Sequence, residues 1–174
     1  KLDAQFRALE RDLARYAWVR TGDAFGDAPR RDSDDDRRND PNHPLNNLKL
    51  MTEVHFVGRK AVDTFIVELT TTLISGDKFG SITELWLNNN LISDDGAAAI
   101  ASFLERPSCA LGELWVGNNH IGPTGTALLS GALSHNERSR LTCLGLYGNP
   151  IGNGGAAALA QMLRRNHVLT TLDL

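Results

Sequence analysis

The sequence predicts an α/β stack of strand–helix units joined by a parallel sheet. Three observations carry that expectation. First, ITELWLNNNLISDDGAAAIASFL from Ile82, LGELWVGNNHIGPTGTALLSGAL from Leu111 and LTCLGLYGNPIGNGGAAALAQML from Leu141 are near-copies of one phrase, and an incomplete copy, LTTLDL, begins at Leu169. Second, the anchor leucines Leu85, Leu114, Leu144 and Leu172 recur every 29, 30 and 28 residues. A period in this range marks a solenoid in which each unit covers its neighbour. Third, each copy changes its apolar period from two to about 3.6 part-way along, as a strand followed by a helix does.

Within each copy the strand comes first. Leu85-x-Leu87, Leu114-x-Val116, Leu144-x-Leu146 and Leu172-x-Leu174 alternate as a short strand with one buried face alternates. An asparagine follows at a fixed offset: Asn90, Asn119, Asn149. Its amide both donates and accepts, so stacked copies should form a ladder of bonds where the strands turn. Two residues on, Ile92, Ile121 and Ile151 plug the core. Gly96, Gly125 and Gly155 then open runs with helical spacing: Ala97, Ile100, Ala101 and Leu104, then Leu128, Leu129 and Leu133, then Ala156, Leu159, Ala160 and Leu163. The small residues among them let each helix lie close to its strand.

The pattern LxxLxLxxNxIxxxGAxxLAxxL resembles the long leucine-rich repeat of the ribonuclease-inhibitor-like subfamily, over about Thr52 to Leu174. The resemblance implies a horseshoe arc with the parallel sheet on its concave side. Similar repeats occur in sensor domains of innate-immune receptors and in the activating protein for the Ran GTPase. It implies a surface that binds macromolecules and does not select among these members.

Residues 45-174 are expected to form the repeat domain, with 45-81 a degenerate first unit. MTEVHF from Met51 aligns with ITELWL from Ile82, but the Asn-x-Ile turn is missing. A helix over Arg59–Leu73 should turn Val62, Phe65, Ile66 and Leu69 inward. Leu48-Lys49-Leu50 continues the strand alternation and suggests a capping strand or hairpin, since an end unit must shield the core. Upstream, Leu2, Phe6, Leu9, Leu13 and Tyr16 or Ala17 share one helical face, so 1-20 reads as an amphipathic helix to about Val19, capping the stack or docking on a partner. Residues 21-44 are rich in Asp, Arg, Gly and Pro and read as an irregular polar linker. DSDDD within it lacks the glycine and glutamate of a calcium loop.

Alternation aims the residues between the leucines at the concave face. One column there is His55, Trp86, Trp115, Gly145, Asp173; beside it run Glu53, Glu84, Glu113, Cys143, Thr171; a third is Asn88, Gly117, Tyr147. Two tryptophans on adjacent strands, about 5 Å apart, should stack. Trp and Tyr are enriched at binding hot spots. The expected partner-binding residues are therefore Glu53, His55, Glu84, Trp86, Asn88, Glu113, Trp115, Tyr147 and Asp173, facing a protein with apolar groups and some positive charge. The alternative is that the N-terminal segment folds back over the tryptophans.

Composition sets the remaining bounds. The 174 residues carry a net charge of -3 with both signs mixed, which does not suggest nucleic-acid binding. No apolar run nears the ~20 residues that span a bilayer. Cys109 and Cys143 sit at different offsets in successive repeats and are expected to be reduced. GNGGAAAL superficially resembles a dinucleotide loop, but its glycine recurs once per repeat and reads as structural. No P-loop or nucleophile elbow occurs, and the five histidines show no metal-ligand spacing with the cysteines. No enzyme activity, cofactor or metal is expected. The chain begins at Lys1 without methionine and ends inside a repeat, which predicts a piece of a longer protein. An intracellular, cytoplasmic setting is expected, with an organellar one left open by the incomplete N-terminus. The function expected is a protein-interaction or scaffold module, its partner another protein or several subunits of an assembly. The alternatives are a regulator of an enzyme (an inhibitor or GTPase activator) and the ligand-sensing end of an immune-type receptor.

Overall fold

The computed structural model describes residues 18–21, 51–75, 82–135 and 139–174. Strand and helix alternate along the chain: β1 (Trp18–Thr21), β2 (Met51–His55), α1 (Asp63–Ser75), β3 (Glu84–Trp86), α2 (Asp94–Leu104), β4 (Glu113–Trp115), α3 (Pro123–His135), β5 (Cys143–Gly145), α4 (Gly152–Leu163) and β6 (Thr171–Asp173). The strands lie in one sheet in sequence order. β2 to β6 are parallel and in repeat register, with Val54, Leu85, Leu114, Leu144 and Leu172 aligned as partners. The result is a leucine-rich-repeat-like stack of strand–helix units.

The leucines supply the core, as their alternation predicts. Leu85, Leu87, Leu114 and Leu144 are fully buried against Ile66, Leu69, Ile100 and Leu129 from the helices. Burying such a side chain stabilises the fold by roughly 1.5–3 kcal/mol. The asparagine ladder forms as well, and it is continuous. Asn90 Nδ2 donates to the carbonyls of Phe56 and Leu87, Asn119 Nδ2 to those of Leu87 and Val116, and Asn149 Nδ2 to those of Val116 and Leu146. Each shared carbonyl links one asparagine to the next. The Oδ1 atoms accept from Ala61 N, Ile92 N and Ile121 N respectively.

The repeated glycine is structural. A Cβ on Gly96 would collide with the Asp63 carboxylate and Ile92, and one on Gly125 with Asp94 and Ala97. Both clashes trace to a device that the periodicity does not display. Asp63 Oδ1 accepts from Ser93 N at 2.8 Å and Gly96 N at 3.0 Å, and Asp94 Oδ1 from Gly122 N at 2.7 Å and Gly125 N at 2.9 Å. Each carboxylate starts its own helix and caps the next one, where the helix dipole favours negative charge. At the third junction the matching residue is Pro123. The leg from strand leucine to helix glycine has one length in all three repeats; the return leg from helix to strand varies.

Several expectations need correction. Trp18 and Val19, expected to end a helix, begin β1, which pairs antiparallel with β2, Arg20 opposite Glu53. The reason is the open edge of β2: WVRT has the aromatic and β-branched residues that suit a strand, and pairing satisfies the backbone groups of that edge. The capping strand thus comes from Trp18–Thr21. Thr21, expected to open the linker, closes β1 instead; the rest of the expected helix (1–17), the rest of the linker (22–44) and Leu48–Leu50 fall outside the described residues. The first repeat helix begins at Asp63, not Arg59, because Gly58 and Lys60 take left-handed backbone angles (φ 69° and 57°). Val62 therefore precedes the helix and is 45% exposed, not inward. Leu128 also faces solvent at 45%. Ala156, Ala160 and Leu163 are exposed on α4, on the side that the following helix covers in α2 and α3.

Candidate functional site

The strand face opposite the core is built by register alone. Glu53, Glu84 and Glu113 are aligned partners, and so are His55, Trp86 and Trp115 one column over. Residues two apart on a strand share a face, so each carboxylate lies beside the ring of its own strand. All six side chains are half-buried.

The rings stack as the spacing predicts, and the stack is longer than the two tryptophans. His55 and Trp86 are 5.2 Å apart and 9° from parallel; Trp86 and Trp115 are 5.1 Å apart at 21°. Trp115 then leans over Gly145, where a Cβ would overlap its ring. Trp86 Nε1 donates to Glu84 at 3.1 Å and Trp115 Nε1 to Glu113 at 2.9 Å, while His55 Nε2 lies 3.3 Å from Glu53 Oε2. Three carboxylates in register repel one another, and the N–H bonds offset part of that repulsion. Because the faces of Trp86 are covered on both sides, the surface offers ring edges and carboxylates. An apolar partner group can pack on the edges, and a cation can reach the acids.

The third predicted column divides. Tyr147 is half-buried, its ring lying over Gly117, where a Cβ would overlap it. Asn88 does not belong to the open face: it is 5% exposed, and its Oδ1 accepts from Gly117 N at 2.7 Å. It holds the turn after β3 to the turn after β4. Asp173 is exposed on β6, beyond Gly145 and out of the aromatic stack. Cys109 and Cys143 are free thiols, both half-buried; burial pushes the Cys109 thiol pKa up, and a backbone hydrogen bond at Leu111 opposes this.

Two groupings escaped the sequence. Asp63 and Asp94 do not recur at Pro123, so no period marks them. Glu53, His55 and Glu84 bring one ligand atom each within 4.8 Å of one another. Comparing histidine with cysteine spacings misses such a set, because it forms across two strands; the aligned pairs Glu53-x-His55 and Glu84-x-Trp86 carry the signal. Behind the sheet, a shallow cleft of about 470 Å³ between α3 and α4 is lined by Ser130, Ser134, Gln161, Arg164 and Arg165, among others, far from these carboxylates. Among the described residues no helix is long and apolar enough to cross a membrane.

No protein-family model matches the sequence, and no curated protein does. Solved structures do match. One is Leiomodin-1 Actin-Binding Site 2 (ABS2), 25% identical, covering 74% of this chain and 72% of that one at a TM-score of 0.61. The similarity spans most of both chains. It relates this fold to a protein-binding domain.

Proposed function

We propose that this chain is a non-catalytic protein-interaction module of the ribonuclease-inhibitor-like leucine-rich-repeat type, curved so that the strand face is concave and receives the partner. The observation that carries the reading is the in-register column of His55, Trp86 and Trp115 flanked by Glu53, Glu84 and Glu113. Large aromatic groups half-open to solvent beside carboxylates suit a partner segment with apolar and basic side chains. Tyr147 and Asp173 extend the same face. Several subunits of one assembly, sharing this surface or adding to it, fit the same chemistry.

The likeness to an actin-binding domain makes actin the first partner to try. Co-sedimentation with actin filaments and binding to actin monomers, for the parent chain and a Trp86→Ala/Trp115→Ala variant shown to be folded by circular dichroism, test that choice. Affinity capture from native extract with the same pair tests the face itself. A partner retained by the parent and lost by the variant supports the reading. A partner held equally by both removes the strand face from consideration.

A further inference from the structure

We infer that Glu53, His55 and Glu84 form a binding site for a divalent transition cation, with zinc the ion whose ligand chemistry fits best. The three ligand atoms lie within 4.8 Å of one another. His55 Nε2 and Glu53 Oε2 are 3.3 Å apart, and two ligands about 2.0–2.1 Å from a tetrahedral zinc stand about 3.3 Å from each other. The pair already stands at the spacing that the ion would impose, in a hydrogen bond that the ion would replace. The backbone holds it there: Glu53 and Glu84 are partners across parallel strands, and His55 follows on the same face of β2. The imidazole plane is set by stacking on Trp86 at 5.2 Å and 9°, so orienting the ring costs little on binding.

The donor set selects the ion class. One imidazole nitrogen with two carboxylates suits zinc and its transition-metal neighbours, whereas calcium and magnesium favour oxygen-only shells. A dication would also offset the repulsion between Glu53 and Glu84. The repeat shows why the set occurs at one rung. The next two strands read Glu84-x-Trp86 and Glu113-x-Trp115, and an indole N–H donates but cannot ligate. Three protein ligands leave a fourth coordination position for water or a further group. The inference stands apart from partner binding, since it concerns the isolated chain.

The untagged chain, stripped of metal with a chelator, is titrated with zinc by calorimetry and with Co2+ by visible absorption and tryptophan fluorescence. One ion per chain is expected, with quenching of Trp86 by the paramagnetic ion beside it. His55→Phe keeps a ring against Trp86 and removes the nitrogen; Glu84→Gln removes a charge. Each should weaken zinc by at least about tenfold, and His120→Phe, at an exposed position in the turn after β4, should not. The inference is overturned if the parent shows no saturable binding, or if His55→Phe binds as the parent does. Should His55→Phe alter the circular dichroism spectrum, Glu84→Gln decides, and unchanged affinity there is equally fatal.

Discussion

Between α2 and α3, and again between α3 and α4, one packing arrangement is held by different side chains. At the first of these junctions Asp94 caps the next helix, Trp86 stacks on Trp115, and Asn118 Nδ2 donates to Asn89 Oδ1 at 2.9 Å. At the second, Pro123 stands in the capping place, Trp115 meets Gly145, and Gly148 follows Asn118 in the left-handed turn. The strand registers are nevertheless the same. What sets the pitch of the stack is therefore the shared part: buried leucines, the asparagine ladder and the helix glycine. Carboxylate caps and ring stacks are additions to that frame at the first junction and are dispensable at the second.

The strongest way to break this comparison is through the core. Leu104, Leu133 and Leu163 hold one repeat position but are 3%, 2% and 44% exposed. Leu104→Ala and Leu133→Ala should each cost about 2–5 kcal/mol in urea denaturation, and Leu163→Ala under about 1 kcal/mol. Equal losses at all three would mean that the exposed side of α4 is covered in solution. Next comes the ladder. Asn119→Ala strands Ile92 N but leaves the carbonyls of Leu87 and Val116 bonded to Asn90 and Asn149. A loss of about 1–3 kcal/mol is expected. A loss far below that range would demote the ladder from frame to ornament.

The cap is a smaller effect. Asp94→Ala should cost about 1–2 kcal/mol by the same measurement, and Pro123→Ala less than about 0.5 kcal/mol. If the two are equal, the carboxylate does not distinguish the junctions. Gly145→Ala, whose Cβ displaces the Trp115 ring, reads out the stack more than the frame. The near-ultraviolet circular dichroism of the Trp86–Trp115 pair should change while the melting temperature moves by only a few degrees.

Recurrence decided what could be read from the sequence. Leu85, Asn90, Gly96 and their copies were legible because the same physical demand returns once per unit. The registers of Glu53 and His55 with Glu84 and Trp86 followed from the same alignment, as did the tryptophan stack. Asn88 was misread because its side chain reaches across to Gly117 N of the next repeat, a bond between two turns that strand alternation does not show. β1 was misread because the helix marked by the spacing of Leu2 to Tyr16 or Ala17 was extended over Trp18 and Val19, whose side chains suit the strand that the open edge of β2 accepts. Asp63 and Asp94 appear in two units and not the third, so no period exposes them.

The constant front leg of the repeat has a consequence for how this chain tolerates insertions and deletions. Gly96, Gly125 and Gly155 lie eleven positions after Leu85, Leu114 and Leu144 respectively. Within that leg the leucines, the asparagine and the glycine each meet a counterpart in the adjoining unit, so one added or lost residue would turn leucines to solvent and carry the asparagine out of reach of its carbonyls. The variation in spacing, 29, 30 and 28 residues from one strand leucine to the next, falls on the other leg. Length can thus drift by single residues between helix and strand, but between strand and helix it can change only by a whole unit at a time.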